Sequence, residues 1–191
     1  MKRLAAAALL AVWTGAAMAD PAPITLHGVD FAFHDIGKIN NGWGAYYTPG
    51  RQEPEQSHDE IIINYMDKAD AQGNEITAKG LAERMLGSIT AKNGKVVLPF
   101  AAPDQAYKGR LSYYVAFYYV YPADLNGDIW IARVVQDDDR AIGVLYKHRI
   151  DGNDEADIEG RIAAWLKENM ESTPVGTLVI PPEPPHGRQA D

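Results

Sequence analysis

Ser57, His58 and Asp59 are the residue types of a hydrolase triad, but they are consecutive. Neighbouring side chains diverge, so they cannot relay a proton among themselves. Around them, Glu53, Glu55, Asp59 and Glu60 crowd carboxylates into one polar stretch, the material for acid–base cleavage of a glycoside. Acidic loops generate such pairs by composition alone, so an envelope hydrolase built on residues 51–60 is only the alternative expectation. Two Asp-rich segments raise cation binding. Counted from Asp124, the sixth and twelfth positions of a calcium loop hold Ile129 and Val135, where Gly and a bidentate Glu are required. Counted from Asp151, the twelfth position is Ile162, and a helix cap accounts better for the acids. Asp137, Asp138 and Asp139 fall at the opposite end of an intervening strand about 27 Å long at 3.4 Å per residue, too far to share an ion with Asp124 and Asp128. His27, His34, His58, His148 and His186 show no ligand spacing. No nucleophile elbow, zinc-protease, phosphate-loop or dinucleotide pattern occurs. With no cysteine there is no thiol nucleophile, Cys-ligated zinc or lipobox. No catalytic residue, metal or cofactor is expected.

One cation stands out instead. Leu111–Tyr121 (LSYYVAFYYVY), Ile129–Gln136 and Ala141–Ile150 read as three strands joined by loops too short for a crossover, hence an antiparallel meander. If Gln136 pairs with Ala141, Arg133 faces Val144 and Ile131 faces Tyr146. If Tyr121 pairs with Ile129, Phe117 faces Arg133 and Tyr119 faces Ile131. Cross-strand partners share a sheet face, which would gather Phe117, Tyr119 and Tyr146 around Arg133. A buried guanidinium needs a carboxylate, an aromatic face or water. The chemistry is either recognition of an anion in a Tyr/Phe-lined pocket or a structural ion pair, and the second is the more economical reading.

The elements that must position these residues follow from pattern. Ile24–Phe33, Trp43–Tyr47, Glu60–Met66 and Lys95–Leu98 are expected strands, with Gly37–Gly44, Arg51–Asp59, Pro99–Arg110 and Pro122–Asp128 as loops or turns. A helix is predicted from Thr77, its N-cap, to Ala91, with Leu81, Met85, Leu86 and Ile89 as its apolar stripe and Asn93-Gly94 as its stop. A second, over Glu155–Met170, carries Ile158, Ile162, Trp165 and Leu166 inward. Val175–Ile180 could form an edge strand before a Pro-rich run. The fold class is α+β: an antiparallel sheet, with a three-stranded C-terminal meander plus N-terminal strands, and two packed helices in a single domain.

Met1 to Ala19 has the basic head, short apolar run and Ala17-Met18-Ala19 site of a cleavable signal peptide. The expected organisation is therefore residues 1–19 as leader, 20–172 as the domain and 173–191 as a Pro-rich tail. Losing Lys2 and Arg3 leaves 16 basic against 26 acidic residues, a charge of −10. Such a surface repels nucleic-acid phosphates and anionic lipid, and no membrane anchor is expected after cleavage. The reading is a soluble, exported, non-enzymatic binding protein, inhibitor- or immunity-like, in the periplasm, with the extracellular medium as the alternative. It would engage an envelope protein or small anionic ligand on the aromatic face bearing Arg133, Phe117, Tyr119 and Tyr146. A structural accessory acting through the tail is a further alternative.

Overall fold

The structure, a computed structural model, describes residues 21–169 and 175–185. The expected leader and its cleavage point lie outside the described residues. The strands are β1 (Ile24–Leu26), β2 (Val29–Ile39), β3 (Gly42–Pro49), β4 (Asp59–Met66), β5 (Lys95–Asp104), β6 (Arg110–Tyr121), β7 (Asn126–Gln136) and β8 (Ala141–Asp151). Helix α1 (Ala78–Ala91) links β4 to β5, and α2 (Glu155–Asn169) follows β8. All eight strands form one antiparallel sheet in the order β1-β2-β3-β4-β8-β7-β6-β5. The domain is therefore mostly β with two helices, broadly α+β. The expected three-stranded C-terminal meander is not a unit of its own, because β6, β7 and β8 lie inside the larger sheet between β5 and β4.

The sheet curls. Phe31 of β2 meets Tyr146 of β8 edge-on at 6.3 Å although β3 and β4 separate their strands. The inner face buries Tyr47, Ile61, Ile63, Tyr65, Ile131 and Val144 with Val175 and Leu178 from the C-terminal segment. Farther along that face, Ile158, Ile162 and Leu166 of α2 pack on Ile129 and Ile150. Helix α1 covers the other face, placing Ile89 against Val115, Phe117 and Ala132. Thr77 accepts from the Gly80 amide as N-cap, and Asn93 takes a left-handed turn that lets the Gly94 amide reach the Ile89 carbonyl at 2.8 Å.

Three expected loops are shorter than composition suggests. Residues 37–44 mostly continue the β2–β3 ladder, with only Asn40 and Asn41 turning, Asn41 at φ 59°. Strand β5 runs through Pro99 and Pro103 to Asp104, which is tolerable because β5 is an edge strand and can lack outward N–H groups. The β6–β7 connection is Pro122–Asp124 plus left-handed Leu125, so β7 begins at Asn126 rather than Ile129. Gly127 is then a packing residue. A Cβ there would lie 2.9 Å from the Ile158 side chain and from the Tyr119 carbonyl.

Candidate functional site

Starting β7 early shifts its register against β6. Tyr121 pairs with Asn126, Tyr114 with Arg133 and Phe117 with Trp130. The shift from the expected Tyr121–Ile129 pairing is three residues, an odd number, so it moves every β6 side chain to the opposite face relative to β7. Phe117 and Tyr119 therefore sit on the α1 side and do not surround Arg133. The β7–β8 register follows loop length: Gln136 pairs with Ala141 and Arg133 with Val144. Arg133 and Tyr146 do share the inner face.

Arg133 is only 2% exposed. Its Nη2 is ion-paired to Asp104 at the end of β5. Its Nη1 donates to the carbonyls of Val175 at 3.2 Å and Leu178 at 3.0 Å. The guanidinium also lies 5.5 Å from the Tyr107 ring centroid. Asp104 is fixed independently by Ser112 Oγ at 2.6 Å and the Ala106 amide at 3.1 Å. The expected pocket cation is thus held by a carboxylate, an aromatic ring and the chain's own C-terminal segment. That segment forms no strand over 175–180; it lies across the inner face, with Tyr65 Oη donating to the Pro181 carbonyl at 3.0 Å and Arg140 paired to Glu183.

A second cluster escaped the sequence. Asp59 Oδ1 accepts from Tyr146 Oη at 2.6 Å and lies 2.8 Å from His148 Nδ1, and the His148 ring stacks on Trp165 of α2 at 5.0 Å. Asp59 and His148 are directly paired residues of β4 and β8. Such a pair orients an imidazole, but the neighbouring Ser57 hydroxyl is buried and directed to the Asp59 carbonyl, so it is not a nucleophile. The carboxylates of the 51–60 stretch do not converge. Asp59 and Glu60 are adjacent strand residues and point to opposite faces. Glu60 is buried against Lys147 at 2.6 Å, Glu53 approaches His34 at 3.5 Å, and Glu55 is exposed. Among the described residues, no three His, Asp or Glu side chains are placed to hold a metal ion.

Burial raises the Asp59 carboxyl, but hydrogen bonds from His148 and Tyr146 outweigh it and hold the group below its usual range. Asp104 is lowered likewise: burial opposes, while Ser112 and Arg133 prevail. Folded values below unfolded ones mean that both groups stabilise the fold above the unfolded carboxylate pKa, about 3.9. That stability is lost as pH falls through the folded values. Urea midpoints should therefore decline below about pH 4, and Asp59→Asn should flatten this acid limb. An unchanged acid limb would remove Asp59 from the account.

An open cavity of about 540 Å³ at the start of α1 is lined by Thr77, Lys79, Arg110, Tyr113, Gln136 and Asp138, among others. Two of its lining charges are paired with each other, Asp138 with Arg110 at 2.8 Å, and Asp138 also pairs with Lys108. The uncovered apolar part of the sheet starts at this cavity, at Leu111, and continues on β5. On β5, Val96, Val97, Leu98 and Phe100 are 37–41% exposed, and Leu111 at the start of β6 is 48% exposed. Phe100 is held in place by stacking on Tyr114, centroids 4.6 Å apart and ring planes nearly parallel. The chain matches no protein-family model, and no curated protein matches its sequence.

Proposed function

We propose that this chain is an exported, non-enzymatic binding protein, inhibitor- or immunity-like, that engages a protein partner through the apolar edge made by β5 and the start of β6. One observation carries the reading. Residues 96–103 (VVLPFAAP) contain no charge in a chain of net charge −8, and their large side chains remain a third or more exposed. The register divides this surface between the two faces of the edge, with Leu98 and Phe100 on the side of Ala116 and Tyr114, and Val96 and Leu111 on the α1 side. An exposed apolar rim of this kind marks interaction sites on soluble proteins. Pro99 and Pro103 each delete an outward N–H, which discourages strand addition, so the partner fits by side-chain packing and presents an uncharged apolar surface. The Ala17-Met18-Ala19 leader supports placing this activity in the periplasm.

The pocket reading, in which Arg133 receives a small anion, has less support because Asp104 and two carbonyls already engage that cation. A hydrolase is supported less still, since its carboxylates diverge.

The test is a photo-crosslinking residue at position 100, with one at exposed Lys79 of α1 as control. Position 100 should capture a discrete partner that position 79 does not. Leu98→Glu with Phe100→Asp should abolish the crosslink at a second β5 position while the domain stays folded, with stability lowered by about 1–3 kcal/mol through loss of the Phe100–Tyr114 stack. Equal capture from both positions, or none, would sink the proposal.

A further inference from the structure

We infer that the inner face of the sheet is a receptor groove for an extended apolar–proline peptide, with residues 175–185 (VGTLVIPPEPP) as its resident occupant. The walls are built without the occupant. Asp104 is set by Ser112 and Ala106, Arg133 stands on β7 beside Tyr107, and Arg140 lies 5.2 Å over the Tyr65 ring. Their outward donors then meet peptide backbone. Arg133 takes the Val175 and Leu178 carbonyls, and Tyr65 takes the Pro181 carbonyl. Backbone carbonyls are present in any sequence, so these bonds fix an extended path without dictating side chains.

Selectivity comes from three places. Val175 and Leu178 are buried in the main core, Pro184 is buried, and Glu183 pairs with Arg140. Val179, by contrast, is 88% exposed. The segment belongs to no strand of the sheet, so its exchange would leave every ladder intact. An empty groove would expose the apolar side chains that Val175 and Leu178 cover, which disfavours vacancy and favours replacement. The ligand class is therefore an extended segment from a partner protein with apolar residues three apart, a proline pair after them and an acid next to the second proline.

The experiment uses the full chain with a specific protease site inserted after Ser172. After cleavage, all residues are still present, and excess fluorescent peptide VGTLVIPPEPP is added. Saturable incorporation, read by anisotropy with unchanged far-UV dichroism, is expected. A Leu178→Asp peptide should bind roughly a hundredfold more weakly, because it buries a charge. Glu183→Lys should lose roughly tenfold, and Val179→Lys should bind as the parent does. If the nicked chain unfolds as its tail leaves, takes up no peptide, or accepts Leu178→Asp as readily as the parent, the segment is ordinary core and the groove does not exist.

Discussion

Arg133→Ala is expected to destabilise the domain by about 3–5 kcal/mol, as removal of one member of a buried ion pair does. The cost is not the pair's attraction alone. The variant leaves the Asp104 carboxylate, 9% exposed, without its counter-charge. It also strips the Val175 and Leu178 carbonyls of their donor, and unmade buried hydrogen bonds cost about 1–3 kcal/mol each. Against a typical total of about 5–15 kcal/mol, such a loss moves the urea midpoint far. Part of it is recoverable. Adding Asp104→Asn removes the stranded charge, so the double variant should be more stable than Arg133→Ala alone, a non-additivity that a double-mutant cycle reads directly. A loss below about 1 kcal/mol for Arg133→Ala would match an exposed pair and contradict the burial.

The same residue shows how far the sequence was legible. Arg133's position amid apolar neighbours on β7, and its need for a carboxylate, followed from alternation and from the cost of burying a guanidinium. The identity of the carboxylate did not. Asp104 sits 29 residues away on a strand that two prolines disguised as a loop. The β7–β8 register came from a short turn, but Asn126-Gly127 mimics a hairpin turn while belonging to a strand. That misled the register of β6 by an odd step and put Phe117 and Tyr119 on the wrong face. Both helices were legible because a 3.6-residue stripe is local, as was the Thr77 cap. The curl, the Asp59–His148 pair and the seat of residues 175–185 depend on contacts between residues far apart in the chain, for which no local pattern exists. The exposed β5 edge was hidden for a related reason. Residues 95–98 read as a short strand and 99–110 as a loop, and only the strand order places the whole run at the border of the sheet.

Lys147→Ala should cost about as much as Arg133→Ala, again about 3–5 kcal/mol, and it addresses the chemistry of Glu60. Lys147 and Glu60 are cross-strand partners, 7% and 3% exposed, with 2.6 Å between Nζ and Oε2. Trp130, 5.8 Å from Nζ, completes the cation's surroundings. Truncating the lysine leaves a carboxylate that water cannot reach, whereas replacing both partners by apolar residues of similar size removes the desolvation cost together with the attraction. Glu60→Leu with Lys147→Met is therefore expected to lie within about 1 kcal/mol of the parent or above it, while either single change falls well below. Chemical denaturation of the three variants decides this. If Glu60 were a working acid instead of a structural anion, single removal of its neighbour would leave stability near the parent's, because the carboxylate would remain hydrated in a cleft. A strongly destabilised Lys147→Ala together with a near-parental double variant assigns Glu60 to the fold and withdraws it from the carboxylates that a hydrolase on the 51–60 stretch would use.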